Sequence, residues 1–594
     1  MIRLLKLLQG REEEELCASL ALADLEENDL DYDALSYCWG PPVFCRRIRV
    51  GQAYFKITEN LYHALHRLRL PAEARVIWVD AICIDQKPIY EKNHQVRLMS
   101  RIFTQCSRCV IYLGPEADSS ELLPGFMGEL IQWVDTGIKS GNQVLKRGHV
   151  SNSFNSYRGL PTNDDPRWNA LIAFLKRPWF RRVWVMQEYI LPKKVTTICG
   201  DWELEGCDLA MFIHTFSSIV PLQSLLTETT CRKETGDRGE IIDSIVLIQK
   251  HIFCRLALGH DIPQQSLAKL GEKSIPQHYF NLINLVIGAS LCNTTDPRDR
   301  FFGVLGLAND VDDAPSLQPD YGKTLKDVMD AYISFFVAQG NGKSVLQSSR
   351  PRVRSTRSWP SWYPCWHMKA SEYFQTFESE ALSGNILGLE PEHLKSAVTM
   401  LTKAKLSVRG FKVDRVHART TTGSAQSIPE LYEEALALSL SFDDVLSEQE
   451  LSRLVLRVLV QNKTHQKEEV SQTFLDTCER QITNHWDLMF LLDDEDGDPV
   501  MKEMERRSHA EIALERSRGG CFGMTKEGYC GMFPQNAEAG DEIFTIEGGS
   551  ETFLIRHHPT EDTYDWLGEV YIHCIENQIE RTIAAKDVTT ITVV

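Results

Sequence analysis

The sequence predicts an α/β protein in three parts. These are a parallel α/β region at the N-terminus, a mixed and mainly helical middle, and a small all-β region at the C-terminus. Three observations carry this. Apolar, β-branched runs alternate with helical spacings through residues 32–200, the pattern of strands joined by crossover helices. Residues 205–290, 325–338, 429–457 and 469–489 keep helical spacing. Cys521–His573 breaks into short alternating runs between Gly turns. The expected boundaries are 1–215, 216–400, 401–510 and 511–594.

The bulk numbers limit the function classes. At 594 residues the chain exceeds one core, and roughly two to four domains are expected. The formal charge is 64 − 82 = −18, which disfavours the phosphate backbone of nucleic acid as a partner. The 16 cysteines are scattered, unlike a secreted disulfide framework. No basic-then-apolar leader opens the chain. The longest apolar-leaning run, Tyr279–Cys292, is too short to span a bilayer. A cytoplasmic protein with no membrane span and no nucleic-acid partner is expected.

Taken in order, Ile2–Leu8 and Leu16–Leu25 read as strands around an acidic turn. Asp31–Gly40 is an apolar strand closed by Gly-Pro-Pro, and Gly51-Gln52 splits a hairpin. Asn60–Leu70 is a helix with Leu61, Leu65 and Leu68 on one face, ended by Pro71. Ile89–Cys106 is a helix whose apolar face is Val96, Met99, Ile102 and Phe103. Strands at Cys109–Leu113 and Val195–Cys199 flank helices at Leu122–Trp133 and Pro166–Lys176, with a polar loop over 137–165 between those helices. Pro351–Trp366 reads as an aromatic-rich packed loop.

Several apparent motifs carry no chemistry. Gly342-Lys343-Ser344 imitates the end of a phosphate-binding loop, but Val337 stands where that loop needs its first Gly. Cys106 and Cys109 form a lone Cys-x-x-Cys without the second pair that zinc would need, so small apolar packing is expected. His557-His558 suits a solvated strand end. No metal ligand set emerges.

One stretch organises the N-terminal half. Val76, Ile77, Trp78 and Val79 make a central strand that stops at Asp80, with Asp85 and Gln86 close behind. In open α/β sheets ligands bind beyond the carboxyl ends of the strands. Asp80 is therefore a site candidate, and turn capping is its alternative role.

Four stretches together resemble a known family. They are Tyr32-Asp-Ala-Leu-Ser-Tyr-Cys-Trp-Gly40, Ile77-Trp-Val-Asp-Ala-Ile-Cys-Ile-Asp-Gln86, Glu91-Lys-Asn-His-Gln-Val-Arg-Leu-Met99 and Trp179-Phe-Arg-Arg-Val-Trp-Val-Met-Gln-Glu188. In order and spacing they are similar to the fungal heterokaryon-incompatibility (HET) domain family. Thr295–Leu307, Pro319-Asp-Tyr321 and Trp359-Pro-Ser-Trp362 resemble the segment that follows the domain in large members, and Cys521–His573 resembles their C-terminal β region. Lys92 stands where the family often has Arg, and Asp85 where it often has Asn.

The resemblance implies non-self recognition between fungal strains and programmed cell death triggered by the HET domain. It implies a fold similar to Toll/interleukin-1-receptor (TIR) domains, many of which cleave NAD at the nicotinamide–ribose bond using a Glu. On this reading NAD is a substrate and no cofactor is needed. The alternative is a non-enzymatic adaptor that self-associates or recruits other incompatibility proteins.

Cleavage of an N-glycosidic bond passes through an oxocarbenium-like state that a carboxylate stabilises. Glu188, after the apolar Val183–Met186, is the first candidate. A carboxylate there is costly to bury, so it either pairs with Arg181, Arg182 or an Arg of the 89–105 helix, or it works. Asp80 and Asp85 follow, for ribose hydroxyls or positioning. Tyr37 and Trp39 could wall a pocket or fill core, and Gln86, Gln95 and Gln187 could bind ligand or satisfy backbone. Glu91 could cap its own helix.

Overall fold

The computed structural model describes residues 1–139, 165–205, 280–349, 359–368, 397–483 and 520–594, apart from short gaps, and scattered residues between 208 and 260. The chain divides into two compact units, Met1–Val328 and Met329–Val594. Among the described residues no helix is long and apolar enough to cross a membrane.

The first unit is built on a nine-stranded sheet. In chain order its strands are β1 (Ile2–Leu7), β2 (Cys17–Ala23), β3 (Asp33–Tyr37), β4 (Arg46–Val50), β5 (Ala53–Ile57), β6 (Arg75–Trp78), β7 (Arg108–Tyr112), β8 (Val195–Cys199) and β9 (Trp202–Glu205). Its centre, β6-β3-β7-β8, is parallel, with Asp33 opposite Ile77, Ser36 opposite Ile111 and Cys109 opposite Val195. The chain leaves β3 for β6 on one side and returns to β7 on the other, so its winding direction reverses at β3. In open α/β sheets the carboxyl end of the strand at such a reversal is where ligands bind.

The sheet is mixed rather than wholly parallel. β1 runs antiparallel to β6 and β2 to β1, β5 to β4, and β9 to β8. Two of these partners, β5 and β9, follow two-residue turns at Gly51-Gln52 and Gly200-Asp201, which can join only antiparallel strands.

The helices follow the predicted faces. α1 (Glu59–Leu68) starts at Thr58, whose hydroxyl accepts the Leu61 N–H, and it buries Leu61, Ala64, Leu65 and Leu68. α2 (Asp80–Cys83) is a single turn opening at the end of β6, so the strand stops one residue before its apolar run ends at Val79. α3 (Ile89–Gln105) buries Val96, Met99, Ile102 and Phe103, and Gln95 with them. α4 (Leu123–Lys139) runs past its expected end at Trp133; the predicted loop lies outside the described residues from 140 to 164. Pro166–Leu175 is a helix capped by Asp165. Further helices of the unit lie at Leu282–Ala289 and Asp299–Leu305. Cys106 and Cys109 are buried free thiols, as small packing groups should be.

The second unit holds an eight-stranded sheet of β10 (Val398–Thr402), β11 (Lys405–Arg419), β12 (Gly520–Thr525), β13 (Cys530–Pro534), β14 (Glu542–Ile546), β15 (Thr552–His558), β16 (Thr563–Ile572) and β17 (Thr589–Val593). The short alternating runs of 521–573 form the strands β12 to β16. β11 pairs with both β12 and β14, so β11-β12-β13-β16-β15-β14 closes on itself as a barrel. Register shifts at Lys412/Asp414 and Val416/Ala418 mark bulges that bend β11 through this double pairing. Cys521 and Phe533 point into the barrel, while Phe522 and Met532 meet helices at Ile428–Leu440, Glu448–Leu459 and Gln472–Thr483. Trp362 and Trp366 are fully buried, as the aromatic loop predicts. Lys343 forms an ion pair with Glu551 at 2.7 Å, which gives the phosphate-loop imitation a structural use.

Candidate functional site

The carboxyl end of β3 gathers a buried carboxylate cluster. Period-two alternation on β3 sends Ser36 and Tyr37 to opposite faces, and both are buried because both faces of the sheet are covered. A 3-10 turn at Pro178–Arg181, started by its proline, leads into a short helix at Val185–Ile190 that carries Glu188.

Glu188 is 5% exposed. The Ser36 hydroxyl donates to Glu188 Oε2, and Trp179 Nε1 donates to Ser36 Oγ at 2.7 Å. An indole N–H can only donate, so it occupies a lone pair of the Ser36 oxygen and leaves the serine hydrogen for Glu188. Burial raises the Glu188 carboxyl to about 7; the Arg182 charge and the Ser36 hydrogen bond pull it back, and the neighbouring Asp80 charge adds to the rise.

Asp80 stands at the carboxyl end of β6. Trp39 Nε1 donates to its Oδ2 at 2.9 Å and the Ala81 N–H to its Oδ1 at 2.7 Å. Asp80 does not cap α2, whose cap is Val79, but it does bind a backbone amide as its alternative role allowed. Burial of the carboxyl group raises its pKa, against Arg182 and Trp39. The Arg182 guanidinium donates to the Tyr37 carbonyl and supplies the positive charge between the two acids. Tyr37 is 2% exposed and its hydroxyl has no hydrogen-bond partner among the described residues. Burial, first, and the Asp80 charge hold its phenol well above the usual range, so it remains a donor. Ser36, Tyr37, Trp179 and Glu188 form a buried floor; Cys38, Trp39, Asp80 and Arg182 are partly exposed.

Four of the eight candidate residues therefore come together: Glu188, Asp80, Tyr37 and Trp39. Gln86 is exposed and touches the group only through Asp80, donating to its carbonyl at 3.2 Å. Asp85 is exposed and accepts the Lys87 N–H at 3.1 Å, a turn contact. Gln95 donates to the Met1 carbonyl at 3.3 Å, and Gln187 to the Gly303 carbonyl at 2.9 Å, so both serve packing instead. Glu91 does not cap α3; it accepts the Asp85 N–H and pairs with Arg3. Ser36 and Trp179 were hidden in the sequence. The available signal was a lone hydroxyl in a wholly apolar strand, which must find a partner once buried. Among the described residues no group of His, Cys, Asp or Glu could hold a metal.

An acid that titrates near neutrality can donate or accept a proton, or stand charged beside a developing cation. With Asp80 and Arg182 partly exposed beside it, the cluster offers both acceptors and donors to a polar ligand.

Residues 32–188 match the model of the heterokaryon incompatibility protein (HET) family, from Tyr32 beside β3 to Glu188 itself. Residues 460–588 match the Het-6 beta-barrel domain. Heterokaryon incompatibility protein 6, OR allele, of Neurospora crassa is 21% identical over 91% of this chain and 88% of its own. Vegetative incompatibility protein HET-E-1 of Podospora anserina is 24% identical over 33% of this chain and 12% of its own. No solved structure matches. The Glu188 cluster thus lies within a segment, residues 32–188, that is similar to the heterokaryon-incompatibility (HET) domain family, and nearly the whole chain aligns with a heterokaryon incompatibility protein.

Proposed function

We propose that this chain is an incompatibility-type protein acting in non-self recognition, and that its first unit is a TIR-like effector that cleaves NAD at the nicotinamide–ribose bond and so triggers cell death. The observation that carries the reading is Glu188: a buried carboxyl poised near neutrality, held by Ser36, at the carboxyl end of the strand where the winding reverses. The parallel strands run in the order second, first, third, fourth, which is one of the two common doubly wound arrangements. In this reading Glu188 stabilises the oxocarbenium-like ribose. Asp80 takes ribose hydroxyls, the free Tyr37 hydroxyl donates to the ligand, and Trp39 walls the nicotinamide. The relatives named for incompatibility support the biological setting.

The test incubates the full chain with NAD and follows nicotinamide release, with Glu188→Ala beside it. Release by the wild type, lost in a variant of unchanged circular dichroism, supports the reading. A folded wild type that releases none, alone or with the second unit proteolytically removed, refutes it.

One observation favours an adaptor instead. β5 is one of the two outer strands of the sheet, and it exposes Tyr54 (53%) and Phe55 (39%). An apolar edge is a template for pairing with another chain. Concentration-dependent association lost in Tyr54→Lys, with no nicotinamide release, would decide for that reading.

A further inference from the structure

The helix that carries Glu188 is not held by the matched domain alone. The backbone of Arg182 bridges Asn293, with the Val183 N–H donating to the Asn293 carbonyl and the Asn293 N–H to the Arg181 carbonyl. The helix Asp299–Leu305 lies against the other side. Gln187 Nε2 donates to the Gly303 carbonyl at 2.9 Å. A Cβ added at Gly303 would stand 3.3 Å from both Val183 methyls, and one at Gly306 would meet Ser100 of α3 at 2.5 Å, so glycine permits this approach at both points.

A polar chain ties the same helix to α3. Tyr321 donates from its hydroxyl to Asp299 Oδ1 at 2.7 Å, and the Trp184 indole also acts on that carboxylate. The Lys92 ammonium lies 3.7 Å from the centre of the Tyr321 ring. Asn93 accepts the Tyr321 N–H and donates to Asp320, each at 2.9 Å. Arg298 clasps Asp296 at 2.7 Å and donates to the Tyr321 and Lys323 carbonyls.

We infer that Asn293, the helix Asp299–Leu305 and Tyr321 are the positioning element of the Glu188 site: they hold Trp184 and Gln187 in the turn that leads into the carboxylate, so the working domain extends well beyond the matched 32–188. This rests on Glu188 being the site carboxylate. Asp299 and Tyr321 touch no substrate in it; they act through Trp184. A short helix with one turn before its carboxylate has little rigidity of its own, and misplacement by about 1 Å can cost up to ~100-fold in rate. The sequence placed this segment in the middle region, because nothing in it marks contact with residues a hundred positions earlier.

The test uses the full chain with Asp299→Ala, Asp299→Asn and Tyr321→Phe. Hydrogen exchange of a peptide covering 183–190 and the pH profile of nicotinamide release are both read. Asp299→Ala and Tyr321→Phe should speed exchange in that peptide by about tenfold, or ~1.4 kcal/mol, while peptides from β3 and β7 stay unchanged. kcat should fall by a similar factor with KM held, and the acid limb of the profile should move. Asp299→Asn keeps an acceptor for Tyr321 and Trp184 and should restore most of the effect. Unchanged exchange and an unchanged profile in Asp299→Ala and Tyr321→Phe overturn the inference. If no protein, wild type included, releases nicotinamide, the NAD reading fails and exchange alone decides the clamp.

Discussion

Glu188→Gln separates a poised carboxyl from a structural ion-pair partner, because the two respond to pH with opposite sign. The folded protein raises the Glu188 carboxyl from 4.5 to about 7, chiefly through burial. The folded state therefore binds the proton more tightly than the unfolded chain. The stability this gives is complete below pH 4.5 and is lost as pH climbs through about 7. At 1.36 kcal/mol per tenfold in proton affinity, the loss is about 3 kcal/mol. Glutamine keeps the acceptor for Ser36 but carries no charge, so the variant does not suffer that loss. Thermal melts of both proteins at pH 5 and pH 8, followed by tryptophan fluorescence, read the difference. Glu188→Gln should match the wild type within a degree or two at pH 5. At pH 8 it should exceed the wild type by several degrees, since each kcal/mol moves the midpoint of a large domain by roughly 2–4 °C. Asp80 and Tyr37 titrate in both proteins and cancel to first order. A variant less stable than the wild type at pH 8 but not at pH 5 would show Glu188 to be an ionised partner of Arg182. The case for a carboxyl poised near neutrality would then be lost.

Two further substitutions probe the neighbours. Ser36→Ala removes the donor to Glu188 and orphans the Trp179 N–H; it should destabilise the first unit by about 1–3 kcal/mol and, because the lost bond lowers the Glu188 carboxyl, move the acid limb of nicotinamide release to higher pH. A limb that stays in place or moves lower would deny Ser36 this role. Asp85→Asn should leave stability and nicotinamide release near wild type, since Asp85 is exposed and an amide oxygen can accept the Lys87 N–H equally well; a complete loss of release would give that carboxylate a function of its own.

How far the fold was legible depended on the range of its contacts. Strand and helix positions from β3 to β8 follow from local patterns, because each buried run announces itself within a few residues. The antiparallel flanks were less legible, since β1 and β2 show alternation but not which strand they join. In the second unit, β12 through β16 stood out by their Gly turns, while β11 did not: its 15 residues mix Lys, Arg and Asp with apolar positions because it bends between two partners. The site was half legible for the same reason. Glu188, Asp80, Tyr37 and Trp39 could be named as polar or aromatic groups at the ends of apolar runs. Trp179 as the partner of Ser36, and Asp299 as the neighbour of Trp184, are contacts across 143 and 115 positions that no local pattern encodes.

The matched segments and the folded units part company at sheet edges, which shows what each one needs. Residues 32–188 contain β3, β6 and β7 but neither β1, which covers the outer side of β6, nor β8, which covers that of β7. Cut there, both remaining edges would carry unpaired backbone, and β6 would lose its cover immediately beside Asp80. Residues 460–588 contain five of the six barrel strands but not β11, which alone pairs with both β12 and β14. A barrel without its closing strand has two edges where it should have none. Gly410 lies in that strand, where an added Cβ would stand 2.2 Å from the Thr545 carbonyl oxygen, so β11 meets β14 too closely for another residue there. In both units the strand that completes the sheet comes from outside the matched stretch. The clamp on Glu188 follows the same pattern, with chain from beyond the match supplying the rigidity that the matched residues lack.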